Sequence, residues 1–311
     1  MDLIRIGTRG SALALAQTDL VIEAIKQKYP GINTRKVIIK TKGDKEKDKP
    51  VPSFGNKGVF SMEIEEALLD GRIDIAVHSA KDLPYKLKEG LCIQGVLKRE
   101  DARDVFITKK GVLYEDLLKK ETIVIGTGSL RRRFQTRFHN NIEFKDIRGN
   151  IETRINKLRN GGYDGIILAA AGLNRLKLCH EKDLEYKYFN VEDMVPAGGQ
   201  GIIAIETRTE DTKENILVKK IAEDINDQET FFHFNNERQI IEALNAGCNT
   251  GLGVISFSFI NDGEEMLRIK TSMNFADGHG IQHSYCGTGD KEDADELIAM
   301  AIEHGKKKGL V

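Results

Sequence analysis

Short apolar runs rich in β-formers alternate along the chain with segments in which apolar residues recur every three or four positions. Leu3 to Gly7 reads as a first strand. Ser11 then stands where it can cap a helix that gathers Leu13, Ala16, Leu20, Val21, Ala24 and Ile25 on one face, until Tyr29-Pro30-Gly31 stops it. Val37 to Thr41 reads as a second strand, 61 to 69 as a helix and Ile73 to Val77 as a third strand. This alternation predicts α/β layers with largely parallel pairing. A charged, proline-bearing stretch from Lys42 to Lys57 interrupts it and reads as a loop able to act as a lid.

The chain echoes itself once. Ile4-Arg5-Ile6-Gly7-Thr8 returns as Ile123-Val124-Ile125-Gly126-Thr127, each followed by Gly, Ser and a helical pattern. The interval is too long for a solenoid and suits two doubly wound lobes facing each other across a cleft. Crossings between lobes are expected at Lys98 to Arg103 and at Asp193 to Gln200, with 201–206 returning as a strand to the first lobe. After about residue 218 the pattern changes to two helices (216–225 and 228–244), three strands (254–260, 267–274, 282–286) and a last helix from Asp290. The expected division is 1–98 with 200–218, 99–199, and a small α+β third domain over 219–311.

Composition then excludes some function classes. Among 311 residues, 47 Lys and Arg face 48 Asp and Glu, so the net charge of −1 gives no global reason to bind nucleic acid or a membrane surface. Anion binding must be local. No apolar stretch approaches membrane-spanning length, and Met1 to Ile6 lacks the pattern of an export signal, so the expected location is the cytoplasm. Cys92, Cys179, Cys248 and Cys286 lie far apart without a C-x-x-C pair, which suggests neither a disulfide framework nor a metal site.

Local anion sites are where the arginines fall. Thr127-Gly128-Ser129-Leu130-Arg131-Arg132-Arg133 places three cations in the first turn of a helix, where the macrodipole disfavours them, so an anion should offset them. Helix-start amides, the hydroxyls of Thr127 and Ser129, and bidentate guanidiniums suit carboxylates or phosphates. A charge run on its own more often marks a solvated face. The device recurs, however, at Thr8-Arg9-Gly10-Ser11 and at Arg148-Gly149-Asn150 with Arg154, and all three lie beyond strand ends, where open α/β sheets bind ligands. The glycine spacing of a nucleotide fingerprint is absent. Asp82 follows a strand, beside Lys81 and before Leu83-Pro84; it suits either a turn cap or a carboxylate that steadies a cation or moves protons. Cys248, flanked by Gly247 and Asn249 between a helix and a strand, has the setting of a reactive thiol, whereas the other three cysteines read as small buried hydrophobes.

Arg9 in Thr-Arg-Gly-Ser, the stretch His78 to Pro84, Gly126 to Arg132, Arg148-Gly149-Asn150 and Pro196 to Gly201, in this order, resemble the porphobilinogen deaminase (hydroxymethylbilane synthase) family. The resemblance is densest from residue 1 to about 206 and includes the cysteine loop. It implies two lobes like those of type II periplasmic solute-binding proteins and a third domain that bears the cofactor cysteine. It also implies a dipyrromethane held by a thioether to Cys248, to which four porphobilinogen units are added head to tail in porphyrin (haem) biosynthesis. Each addition loses ammonia to give an electrophilic azafulvene, and hydrolysis releases hydroxymethylbilane. By the same resemblance Asp82 is the catalytic aspartate. Cofactor contacts fall to Lys81, Asp82, Thr127, Ser129, Arg131, Arg132, Arg148 and Gly149. Substrate carboxylates fall to Arg9, Ser11, Lys57, Arg148, Arg154, Arg175 and Gln200. No metal, nucleic acid or membrane partner is implied, and a monomer is expected. Asn56, Ala80 and Gly128 depart from the family pattern without removing a charge; Asn249-Thr250-Gly251, where Gln and a Pro are usual, alters the stiffness of the cysteine loop. A non-catalytic solute-binding module would share the lobes but needs no reactive thiol, and a nucleic-acid regulator would need a contiguous basic surface that this composition does not favour.

Overall fold

A computed structural model describes residues 3–41, 61–84, 86–136, 141–246, 251–274 and 282–308. The chain divides into two compact units, Met1–Glu100 with Gly201–Phe234, and Asp101–Gln200 with Asn235–Val311.

In the first unit, β1 (Leu3–Thr8), β2 (Asn33–Ile38), β3 (Ile75–Ser79), β4 (Leu91–Val96) and β10 (Ile203–Arg208) form one sheet in the order β2-β1-β3-β10-β4. Helix α1 (Ala12–Lys28) starts where Ser11 turns extended and its Oγ accepts the Ala14 N–H at 3.3 Å. Helix α2 (Met62–Leu69) precedes β3. Val21 and Ile25 of α1 pack on Ile4, Ile6, Ile75, Val77, Ile203 and Ile205 of the sheet; burying each such side chain contributes about 1.5–3 kcal/mol. The second strand begins at Asn33, earlier than the apolar pattern, because β2 pairs with β1 from Leu3↔Asn33 as an edge strand largely open to solvent. Its Asn-Thr-Arg-Lys start carries no hydrophobic signal.

In the second unit, β5 (Asp104–Lys109), β6 (Ile123–Gly126), β7 (Ile142–Lys145), β8 (Gly165–Ala169) and β9 (Leu184–Tyr188) form a sheet in the order β7-β6-β8-β5-β9. Helices α3 (Tyr114–Leu117), α4 (Leu130–Thr136), α5 (Ile151–Arg159) and α6 (Ala170–Arg175) lie between these strands in sequence. The two sheets follow the same plan. Each is parallel about the strand second in its order, β1 with β2 and β3, β6 with β7 and β8, and each contains one reversed strand, β10 or β5. The reversed strand is in both cases the one entered just after the chain passes between units. At these passages Glu100 N–H donates to Gly201 O at 3.1 Å, and Gly201 has φ +89° with space for a Cβ only 2.3 Å from Glu100 O, so glycine is required there.

Helix α7 (Lys213–Asp224), expected in the third domain only from residue 219, and the first half of α8 (Gln228–Ala243), expected there whole, belong to the first unit. Ile221 and Ala222 join the same core as Val21 and Ile25, and Phe234 packs with Leu83, Val96, Ile202 and Ala204. Burial of these residues, not the change in pattern, sets the boundary. Beyond α8, β11 (Gly253–Asn261), β12 (Glu264–Asn274) and β13 (Gln282–Gly289) form an antiparallel sheet packed by α9 (Ala294–Lys307). This sheet is fastened within the second unit, Val254 N–H to Pro196 O at 2.8 Å and Lys270 Nζ to Glu192 O at 2.7 Å.

Candidate functional site

The candidate site residues of the first unit sit beyond two neighbouring strand ends. Arg9 and Ser11 follow β1; a single 3₁₀ turn, Ala80–Asp82, follows β3. The turn is held from below: Ala80 is buried, its N–H bonds Ile202 O at 3.0 Å, and Leu83 N–H closes the turn on Ala80 O at 3.2 Å. Asp82 is therefore presented on a fixed backbone with its carboxylate exposed, next to half-buried Lys81. Arg9, Ser11, Gln17, His78, Ser79 and Asp82 line one concavity. The Gln17 amide bonds the Ser79 hydroxyl at 2.9 Å, which ties α1 to the end of β3.

Behind that wall lies an acidic cluster. His78 Nε2 is 3.0 Å from Glu206 Oε2 on β10, and both are buried. Glu65 of α2 is buried as well, and burial, then the Glu206 charge, push its carboxyl up, against the opposing influence of Ser61, Lys88 and His78. Sequence reasoning missed Gln17, Glu65 and Glu206, and took His78 only as the start of the stretch His78 to Pro84. The available signal was polar residues on otherwise apolar stretches, as in Ile203-Ala204-Ile205-Glu206.

The second unit brings the remaining described residues to the ends of β6, β7 and β8. After β6, Ser129 N–H bonds Thr127 Oγ1 at 3.2 Å and Ser129 Oγ accepts the Arg132 N–H at 3.4 Å, shaping the start of α4. After β7, Gly149 has φ +111°, and a Cβ would lie 2.6 Å from Thr153 Cγ2, so this turn too requires glycine. Asn150 Oδ1 caps α5 through Thr153 N–H at 2.8 Å, and Arg154 Nε donates to Gly149 O at 2.8 Å, keeping Arg148, Gly149 and Arg154 together. Arg175 ends α6, which follows β8. Gln200 Nε2 bonds Ala102 O at 2.7 Å and Asp104 Oδ1 at 3.0 Å. Cys248, Lys57 and the 42–57 loop lie outside the described residues.

The arginine triplet does not wait for an external anion alone. Arg133 donates to Thr127 O at 2.9 Å and pairs with Asp146. Arg131 and Arg132 are buried and share the fully buried Asp104, at 2.6 and 2.8 Å. Burial would raise the Asp104 carboxyl, but the charges of Arg131 and Arg132 outweigh it and hold it well below the usual carboxylate range. Two guanidiniums on one carboxylate leave one positive charge over. Both arginines belong to the first turn of α4, just after the Thr127 and Ser129 turn, and a ligand carboxylate is the chemical partner such a surplus accepts. Among the described residues no group of His, Cys, Asp and Glu is placed to hold a metal ion, and no helix is long and apolar enough to cross a membrane.

The chain is similar to several known proteins. The family described as porphobilinogen deaminase, dipyromethane cofactor binding domain, matches residues 4–215. A probable porphobilinogen deaminase of Archaeoglobus fulgidus is 39% identical over 98% of this chain and 97% of its own. Porphobilinogen deaminases of Syntrophomonas wolfei (40% identical, 98% of this chain and 97% of that one) and Lachnospira eligens (45%, 80% and 82%) are similar. Among solved structures, an ancestral cationic amino acid solute binding protein is 12% identical with a TM-score of 0.41, over 76% of this chain and 94% of that one.

Proposed function

The chain belongs to the porphobilinogen deaminase family, and we propose that it condenses four porphobilinogen units head to tail on a dipyrromethane carried by Cys248. Ammonia is lost at each step and hydroxymethylbilane is released by hydrolysis. The observation that supports this most directly is Asp82, held on the turn after β3 in one concavity with Arg9 and Ser11.

When bound, the dipyrromethane supplies the nucleophilic pyrrole carbon that starts the chain. The protein supplies charge and position. An exposed carboxylate on a rigid turn can face ring N–H groups and stabilise the positive charge that develops as the aminomethyl C–N bond breaks, without reorganising during the step. Arg9 and Ser11 take substrate carboxylates on the Asp82 side, and Lys57, outside the described residues, takes another. Arg148, Arg154, Arg175 and Gln200 take those presented to the second unit. Lys81, Thr127, Ser129, Arg131, Arg132, Arg148 and Gly149 hold the primer. The α+β part that follows α8 forms the third domain and presents Cys248. The protein works as a monomer in the cytoplasm.

Intact mass of the purified protein beside a Cys248→Ser variant, together with ammonia release from porphobilinogen, tests the proposal. A mass excess of two linked pyrrole units on the wild type alone, with ammonia released, is the expected result. A wild type that gains no mass and releases no ammonia would mean a binding protein on this scaffold.

A further inference from the structure

Asp104, Arg131, Arg132 and Gln200 form one closed hydrogen-bonded group inside the second unit. Asp104 Oδ2 accepts from Arg131 at 2.6 Å, and Oδ1 accepts from Arg132 Nε at 3.0 Å, Arg132 NH2 at 2.8 Å and Gln200 at 3.0 Å. Each guanidinium is also held by a carbonyl, Arg131 by Val195 O at 2.9 Å and Arg132 by Ile167 O at 2.6 Å. Neither can rotate without leaving a buried acceptor behind. The three charged side chains are only 5%, 8% and 0% exposed.

A structural clamp between β5 and α4 needs one arginine on one carboxylate. Among the described residues the second buried guanidinium has no anion of its own, and burying a charge in that way is costly. Both arginines project from the first turn of α4, which follows Thr127 and Ser129 in the chain.

We infer that Asp104 is a positioning residue for the primer. It fixes Arg131 and Arg132 with one positive charge uncompensated, so that a carboxylate of the pyrrole primer completes the neutralisation. Asp104 itself touches no ligand. Through Gln200 and the Ala102 carbonyl, the same carboxylate also fastens the chain just inside both passages between units. This inference rests on the function proposed above.

Two variants separate geometry from charge: Asp104→Glu keeps the charge but displaces it by one methylene, and Asp104→Asn keeps the size but removes the charge. Unprimed protein is incubated with porphobilinogen, and the mass gained at Cys248 is followed in time, alongside circular dichroism and the melting temperature before and after priming. The expected result is priming slowed at least about tenfold in both folded variants, and a smaller rise in melting temperature on priming than in the wild type, by the linkage of binding to stability. A folded Asp104→Glu protein that primes at the wild-type rate with the full rise overturns the inference. If neither variant folds, the unprimed wild type decides. Succinate at matched ionic strength should raise its melting temperature over chloride and should not do so after priming; equal behaviour of the two forms overturns the inference. A wild type that never gains primer mass would instead refute the proposed function.

Discussion

Replacing Glu65 by Gln should stabilise the protein above mildly acid pH. Glu65 is 3% exposed, and among the described residues neither its Oε1 nor Glu206 Oε1 has a hydrogen-bond partner. Four groups from four places act on it: Ser61 at the start of its own helix, His78 on β3, Lys88 before β4, and Glu206 on β10. Burial and the Glu206 charge dominate, so the folded protein holds the Glu65 proton to a higher pH than the unfolded chain, where the ordinary value of 4.5 applies. Between those two pKa values the folded state binds more protons. Stability therefore falls as pH rises, by at most about 1.4 kcal/mol per pH unit for one proton, and the loss is complete above the folded-state pKa. Gln keeps the shape and never ionises. The variant should thus match or trail the wild type near pH 4.5 and exceed it by about 1–3 kcal/mol at pH 8, the usual cost of a buried unsatisfied group. Urea unfolding of both proteins from pH 4.5 to 8, compared as differences at a shared slope, isolates the effect of Glu65 and the groups coupled to it, because titrating groups elsewhere cancel. A difference that stays constant across this range, or that favours the wild type at high pH, would refute the reasoning.

Asp82→Asn should keep the primer mass while lowering kcat by roughly 10²–10³, the effect of losing one preorganised electrostatic contact; steady-state rates with mass spectrometry check both halves. Gly165→Ala would place a Cβ 2.2 Å from Phe106 Cζ and should destabilise by about 1–3 kcal/mol, with partial recovery in the Phe106→Leu background, read by thermal melts. Asn150→Ala removes the α5 cap and should cost about 1 kcal/mol; because that cap sets the Arg148-Gly149 turn, KM for porphobilinogen should rise more than kcat falls. Glu237→Ala should cost about 2–4 kcal/mol, since the buried carboxylate accepts from Gly199 N–H at 2.6 Å and Ser256 N–H at 2.9 Å and its loss strands both amides. A melting curve unchanged in the last variant would show that water replaces it.

Much of this protein is written locally. The Ser11 cap, the stop at Tyr29-Pro30, the echo of Ile4 to Thr8 at Ile123 to Thr127, and the three strands near the end were legible because period, caps and turns depend on residues a few positions apart. The same holds for Arg9, Asp82 and the Arg148 turn, whose places beyond strand ends follow from short-range order. Other features belong to the tertiary structure. Nothing near Asp104 announces that it will neutralise Arg131 and Arg132, and nothing near Glu206 announces His78, 128 residues earlier. The reversed strands β5 and β10, and the membership of α7 in the first unit, were equally hidden. These pairings are decided by what it costs to bury a charge or a strand edge without a partner, and that cost exists only once distant segments share an interior.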